Sequence, residues 1–84
     1  MANSPIISLE VLSPEKTLVN ETVEAVFFPG SAGSFEVLKD HAPLISSLQK
    51  GEIIYRTQAE EKRIAISSGF VEVCDNHVVA CVEI

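Results

Sequence analysis

Tryptophan is absent, and the aromatic residues are one tyrosine and four phenylalanines. A carbohydrate-binding β-module presents an aromatic platform. Here Tyr55 stands nearly alone, because Phe27, Phe35 and Phe70 fit strand patterns. Basic residues are also few. Lys16, Lys39, Lys50, Arg56, Lys62 and Arg63 face twelve carboxylates, for a net charge of −6. They are scattered, so no positive stripe exists to neutralise phosphates. Nucleic acid and an anionic lipid surface are thereby disfavoured as partners. The acidic excess keeps a small protein soluble and suits basic or polar protein surfaces.

Long apolar runs are missing too. None approaches the roughly 20 residues of a membrane helix. Met1-Ala2-Asn3-Ser4-Pro5 lacks the positive n-region and apolar h-region of a signal peptide. The expectation is a cytosolic, soluble chain without membrane insertion, whose two cysteines are free thiols.

What is present is hydrophobic and β-branched. The 84 residues allow one domain, 1–84, with a thin core, and 46% of them are hydrophobic. With so few aromatics, Val, Ile and Leu must build that core, which favours strands. Apolar residues recur with period two. Ile7, Leu9 and Val11 alternate with Ser8 and Glu10; Val23, Ala25 and Phe27 alternate with Thr22 and Glu24; Ile64 and Ile66 alternate with Arg63 and Ala65. Turn residues punctuate them at Ser13-Pro14-Glu15-Lys16, 29–34, Lys50-Gly51, Ala59-Glu60-Glu61, Ser68-Gly69 and Asp75-Asn76. About eight to ten short strands follow, the signature of a small all-β sandwich or barrel. The best helical window, 43–49 with Leu44 and Leu48 four apart, is too short to stand alone.

The last hairpin can be read in register. A two-residue loop at Asp75-Asn76 sets Cys74 opposite His77, Val73 opposite Val78 and Val71 opposite Ala80. Val71, Val73, Val78, Ala80 and Val82 then share an apolar, core-facing side. Phe70, Glu72, Cys74, His77, Val79, Cys81 and Glu83 share a mixed side suited to solvent or a partner. Cys81 lies four residues beyond the partner of Cys74, a separation of roughly 13 Å. A disulfide needs Cα atoms within about 7 Å, so no bridge is expected.

Chemistry-bearing constellations are weak. Cys74-Asp75-Asn76-His77 has a Cys-x-x-His spacing, but a metal site needs more ligands than remain within reach. Asp40-His41 has no nucleophile beside it and reads as a loop pair. Glu60 and Glu61 point to opposite faces of a strand, so they make a solvated turn rather than a carboxylate dyad. Gly30-Ser31-Ala32-Gly33 lacks the Gly-Lys-Ser/Thr ending of a phosphate loop. No catalytic residue, metal, cofactor or small-molecule substrate is expected.

The most distinctive stretch is 29–51, PGSAGSFEVLKDHAPLISSLQKG. Pro43 fixes its own φ and pushes Ala42 toward extended geometry, so His41-Ala42-Pro43 is stiff. A stiff, partly apolar loop loses little entropy on docking. Gly30-x-x-Gly33, then His41-Ala42-Pro43-Leu44, then Leu48-x-x-Gly51 resembles the pattern of epsilon subunits of F-type ATP synthases. The opening Leu-Glu-Val-Leu-Ser-Pro-Glu and the closing Ser-Ser-Gly-Phe-Val-Glu-Val are similar to that family as well.

The resemblance implies a flattened, non-catalytic sandwich of ten strands. It sits in the central stalk at the cytoplasmic face of the bacterial inner membrane. The implied partners are the gamma subunit and the c-ring. On this analogy His41, Ala42, Pro43, Leu44 and Ser46 lie toward gamma. Gly30, Ser31, Ala32, Gly33 and Ser34 lie toward the ring. Ser34 stands where many relatives carry an acid, and Glu36 where they carry a glycine. The family continues into a helical hairpin of roughly 40–50 residues beyond the sandwich. Neither its braking of ATP hydrolysis nor its ATP site is expected of these 84 residues. A generic β-sandwich ligand-binding module is the alternative reading.

Overall fold

A computed structural model describes residues 7–84. The reading of Met1-Ala2-Asn3-Ser4-Pro5, and the first six residues of the domain 1–84, lie outside the described residues.

Among the described residues, nine strands form two sheets. They are β1 (Ile7–Leu12), β2 (Thr17–Val23), β3 (Ala25–Phe28), β4 (Phe35–Val37), β5 (Leu44–Leu48), β6 (Gly51–Arg56), β7 (Glu61–Ile66), β8 (Ser68–Cys74) and β9 (His77–Glu83). The five-stranded sheet has the order β2-β1-β9-β8-β5, and the four-stranded sheet the order β4-β3-β6-β7. Neighbours are antiparallel except β1 and β9, the first and last described strands, which pair in parallel at the centre of the larger sheet. The all-β sandwich read from the sequence is thus the fold. It is flattened, with extents of 39 × 24 × 18 Å.

The core lies between the sheets. Ile7, Leu9, Val11, Val71, Val73, Val78, Ala80 and Val82 face inward from the larger sheet, and Val26, Phe28, Val37, Ile53 and Tyr55 from the smaller. No polar or charged side chain other than the Tyr55 phenol is buried among the described residues. A fully buried side chain such as Phe28 contributes about 1.5–3 kcal/mol by leaving water. The hairpin register holds residue for residue, with Cys74 opposite His77, Val73 opposite Val78 and Val71 opposite Ala80.

The window 43–49 forms no helix, as its length implied: Leu44–Leu48 is strand β5, paired with β8. Two leucines four apart fit a strand face as well as a helix face, and pairing with β8 decides between them. Two local expectations are corrected. Phe27 points outward and is 39% exposed, whereas Val26 and Phe28 are buried. The alternation through Val23 slips because the chain leaves one sheet at Val23 and enters the other at Ala25. Ser68-Gly69 is no turn but the start of β8, and a Cβ on Gly69 would fall 2.5 Å from the Cys81 carbonyl oxygen. That glycine serves close strand packing rather than a reversal.

Candidate functional site

Two loops flank β5, one at each end. The first spans residues 29–34 and joins β3 to β4, whose ends meet where Phe28 pairs with Phe35. Those two rings pack with centroids 5.6 Å apart. The loop folds on itself through Gly33 N–H, which donates to the Gly30 carbonyl at 3.0 Å. It is also tied to β5: Gly30 bridges Leu48, Ser31 N–H donates to the Ser47 carbonyl, and Gln49 N–H donates to the Pro29 carbonyl.

Glycine is required at position 30. A Cβ there would lie 2.5 Å from the Gly33 carbonyl oxygen and 2.9 Å from the Phe35 ring. Gly33 has φ +138°, which L side chains rarely adopt. Of the residues assigned to this loop from the sequence, Gly30 is buried and structural. Ser31, Ala32, Gly33 and Ser34 are exposed.

The second loop spans residues 38–43 and leads into β5. His41 N–H closes a turn on the Leu38 carbonyl, and Asp40 sits at φ +62°. Asp40 N–H donates to Asn76 Oδ1 at 2.6 Å, and Asn76 Nδ2 donates to Asp40 Oδ1 at 3.0 Å. Asn76 belongs to the β8–β9 turn, where Asp75 and Asn76 both have positive φ. Asn and Asp tolerate this left-handed geometry better than other side-chain-bearing residues. The Asn76 carbonyl in turn accepts from Ser8 N–H of β1. One asparagine therefore ties three separate parts of the chain.

His41 is half-buried, with Nδ1 2.7 Å from the Ala42 carbonyl oxygen. Ala42 and Pro43 are exposed. Leu44 and Ser46 are half-buried, and Leu44 packs against the core from the sheet edge. The residue between them, Ile45, is 76% exposed. Strand alternation gives the signal directly: Leu44, Ser46 and Leu48 turn one way, Ile45 and Ser47 the other. Phe70 lies on the mixed, outward side of the last hairpin that the sequence marked. It is 54% exposed and lies opposite Ser47 on β8.

Asp40 bonds Asn76, while the His41 ring lies against a backbone carbonyl, so the two do not form a catalytic pair. No group of three His, Cys, Asp or Glu side chains among the described residues could hold a metal. The ion pairs among the described residues are all made by Arg56, Lys62 and Arg63 of β6 and β7. Lys62 bonds Glu21 at 3.2 Å, Arg63 bonds Glu52 at 3.1 Å and Glu61 at 3.2 Å, and Arg56 meets Glu24 at 3.8 Å. The hydrogen bond to Glu21 raises the Lys62 pKa, and burial followed by the Glu21 charge raises that of Tyr55. Lys62 on β7 and Glu21 on β2 clasp the two sheets along one edge. On the opposite edge, residues 29–31 close the sandwich by bonding β5.

The geometry defines a small β-sandwich with two loops braced against the ends of one edge strand. The family model described as "ATP synthase, Delta/Epsilon chain, beta-sandwich domain" matches residues 6–84, and the chain belongs to that family. Membership carries the reading of a non-catalytic chain. The chain is 46% identical over 71 residues to the ATP synthase epsilon chain of Desulfitobacterium hafniense, covering 84% of this chain and 54% of that one. It is 45% identical over 73 residues to the epsilon chain of Carboxydothermus hydrogenoformans, covering 87% and 54%.

The chain thus spans about half the length of the curated relatives it matches. Its fold is shared with a chain of the Euglena gracilis mitochondrial ATP synthase, a structure of OSCP/F1/c-ring. There the TM-score is 0.85 at 24% identity, covering 96% of this chain and 53% of that one. A chain in the central stalk/c-ring structure of the Tetrahymena thermophila mitochondrial ATP synthase gives a TM-score of 0.81 at 17% identity, covering 99% and 67%.

Proposed function

We propose that this chain is a rotor module of the central stalk of a bacterial F-type ATP synthase, coupling proton translocation to ATP synthesis without catalysing a step itself. His41, Ala42, Pro43, Leu44 and Ser46 dock on the gamma subunit. The loop of Gly30, Ser31, Ala32, Gly33 and Ser34 meets the c-ring. The module works as a peripheral part of the complex at the cytoplasmic face of the inner membrane.

The observation that carries this reading is the bracing of both loops at opposite ends of β5. A five-residue strand separates its ends by roughly 14 Å. One short, doubly bonded strand therefore holds two contact surfaces at a fixed spacing. A part that transmits torque between two partners needs that stiffness, because compliant loops would absorb rotation as strain.

The test is recovery of the complex. Tagged chain expressed in its own host co-purifies with gamma and the ATP synthase, and the isolated chain hydrolyses no ATP. A folded, tagged chain that recovers no synthase subunit would sink the proposal.

A further inference from the structure

Four residues form one row across the outer face of the smaller sheet. Glu36 on β4 lies opposite Phe27 on β3, Phe27 opposite Ile54 on β6, and Ile54 opposite Arg63 on β7. They face outward because their neighbours Val26, Phe28, Val37, Ile53 and Tyr55 are turned into the core. Phe27 is 39% exposed, Arg63 is exposed, and Glu36 and Ile54 are half-buried. The row therefore runs acid, aromatic, aliphatic, base. None of the four belongs to either loop.

The two charged ends of the row cannot meet within one chain. Three strand spacings separate Glu36 from Arg63, roughly 14 Å. Arg63 turns its guanidinium to Glu52 and Glu61, while Glu36 forms no ion pair among the described residues. Two copies stacked face to face remove the obstacle when their two-fold axis runs along the strands, over the midpoint of the row. That rotation sets Glu36 of each copy over Arg63 of the other, with Phe27 over Ile54 twice between them. In the next row, Ala25, Arg56 and Glu61, the rotation brings Arg56 over Ala25. Glu61 and Glu52 fall over Leu38 and Pro29, which continue β4 and β3 in register. No two like charges are brought face to face.

We infer that the outer face of the smaller sheet is a self-association surface, closed by a second copy of this chain in a two-fold dimer with Glu36 paired to Arg63 at each end of a Phe27–Ile54 centre. This goes beyond the docking assigned to the two loops and does not depend on it. Charge chooses the occupant: the complement of the row is the same row reversed, and both halves are present on this chain. Packed sheets lie about 10 Å apart with strands crossing at about 30°, an offset that long Glu and Arg side chains span. A groove of about 500 Å³, lined by Phe27, Pro29, Lys50, Glu52 and Ile54 among others, flanks the row and extends the apolar contact. The face is small. Four strands of at most six residues measure roughly 19 by 20 Å, below the roughly 800 Å² per partner of a standard interface. Each copy also carries a net charge of −6. The dimer is therefore weak. Physiological salt screens the long-range repulsion beyond about 8 Å and leaves the paired contacts.

The experiment is sedimentation equilibrium of the purified chain at physiological salt, from about 10 μM to about 1 mM. The parent should pass from monomer to dimer over that range. Phe27→Ser, Glu36→Arg and Arg63→Glu should each raise the dissociation constant about tenfold or more. Phe70→Ser, on the outer face of the larger sheet, should leave it unchanged. A mixture is the sharpest arm. Glu36→Arg and Arg63→Glu each repel their own copies, but mixed in equal amounts they restore both end pairs and should dimerise as tightly as the parent. Circular dichroism confirms that each variant is folded; if Arg63→Glu is not, Phe27→Ser and Glu36→Arg still decide. A parent chain that stays monomeric to about 1 mM, a dimer indifferent to Phe27→Ser and Glu36→Arg, or folded single variants that do not associate when mixed overturns the inference. Recovery of the synthase by the tagged chain is read separately, so the proposed function stands or falls on its own result.

Discussion

Asp40 and Asn76 hold each other by two reciprocal hydrogen bonds, of 2.6 and 3.0 Å, across 36 positions of sequence. Each also adopts a left-handed backbone, with φ of 62° and 63°. The loop before β5 is therefore pinned to the β8–β9 turn by side chains that the turn geometry itself selects.

Removing that pin should loosen the loop before it unfolds the protein. Asn76→Gly keeps the backbone geometry and loses only the side-chain bonds, at a cost of about 1 kcal/mol. Asn76→Ala adds backbone strain of about 1–2 kcal/mol. Urea unfolding should rank parent above Gly above Ala, and amide exchange at residues 38–44 should quicken in both variants. Exchange that stays at parental rates would show that the loop is held by something else.

The loop between β3 and β4 has a sharper requirement. Gly30→Ala forces a Cβ to within 2.5 Å of the Gly33 carbonyl oxygen, and should cost about 1–3 kcal/mol in thermal or urea unfolding. At Gly33 the space is open, so only the backbone conformation opposes substitution. Gly33→Ala should therefore cost less than Gly30→Ala.

How much of this was legible follows from the range of each signal. The hairpin at Asp75-Asn76 could be read to the residue, because turn chemistry and strand alternation act locally. The parallel pairing of β1 with β9 could not. It joins Ser8 to His77 with no turn between them to mark it. The slip at Phe27 has the same origin, since period-two alternation persists only while a strand stays in one sheet. The two loops were visible through Gly30, Gly33 and Pro43, whose backbone restrictions are intrinsic. Phe70 and Glu72 were legible on the outward side of the last hairpin, whereas their placement beside Ile45 came only with the pairing of β5 and β8.

Stability should fall in alkali. Lys62 and Tyr55 both have pKa values raised in the folded state, from 10.5 and 10.0. The folded chain thus holds protons that the unfolded chain releases first. Their contribution is fully present below about pH 10 and is lost as pH rises through the folded values. The urea midpoint should be flat from pH 8 to 9 and decline above 10. Glu21→Gln, which removes the carboxylate acting on both groups, should shrink that decline; an unchanged profile would contradict the assignment.

Both cysteines should remain thiols. Cys74 faces His77, and Cys81 is four residues further along β9, roughly 13 Å away and beyond disulfide reach. Titration of denatured, unreduced monomer should find two thiols per chain, whereas none would require a different register.

The most direct test of the account is site-specific photo-crosslinking in the assembled synthase, with the photoreactive residue at position 42 in one preparation and position 32 in another. Both positions are exposed, and they sit on loops at opposite ends of β5. The account predicts adducts to gamma from position 42 and to the c-ring subunit from position 32. Adducts to the same partner from both positions, or exchanged partners, would contradict a module that spans between the two.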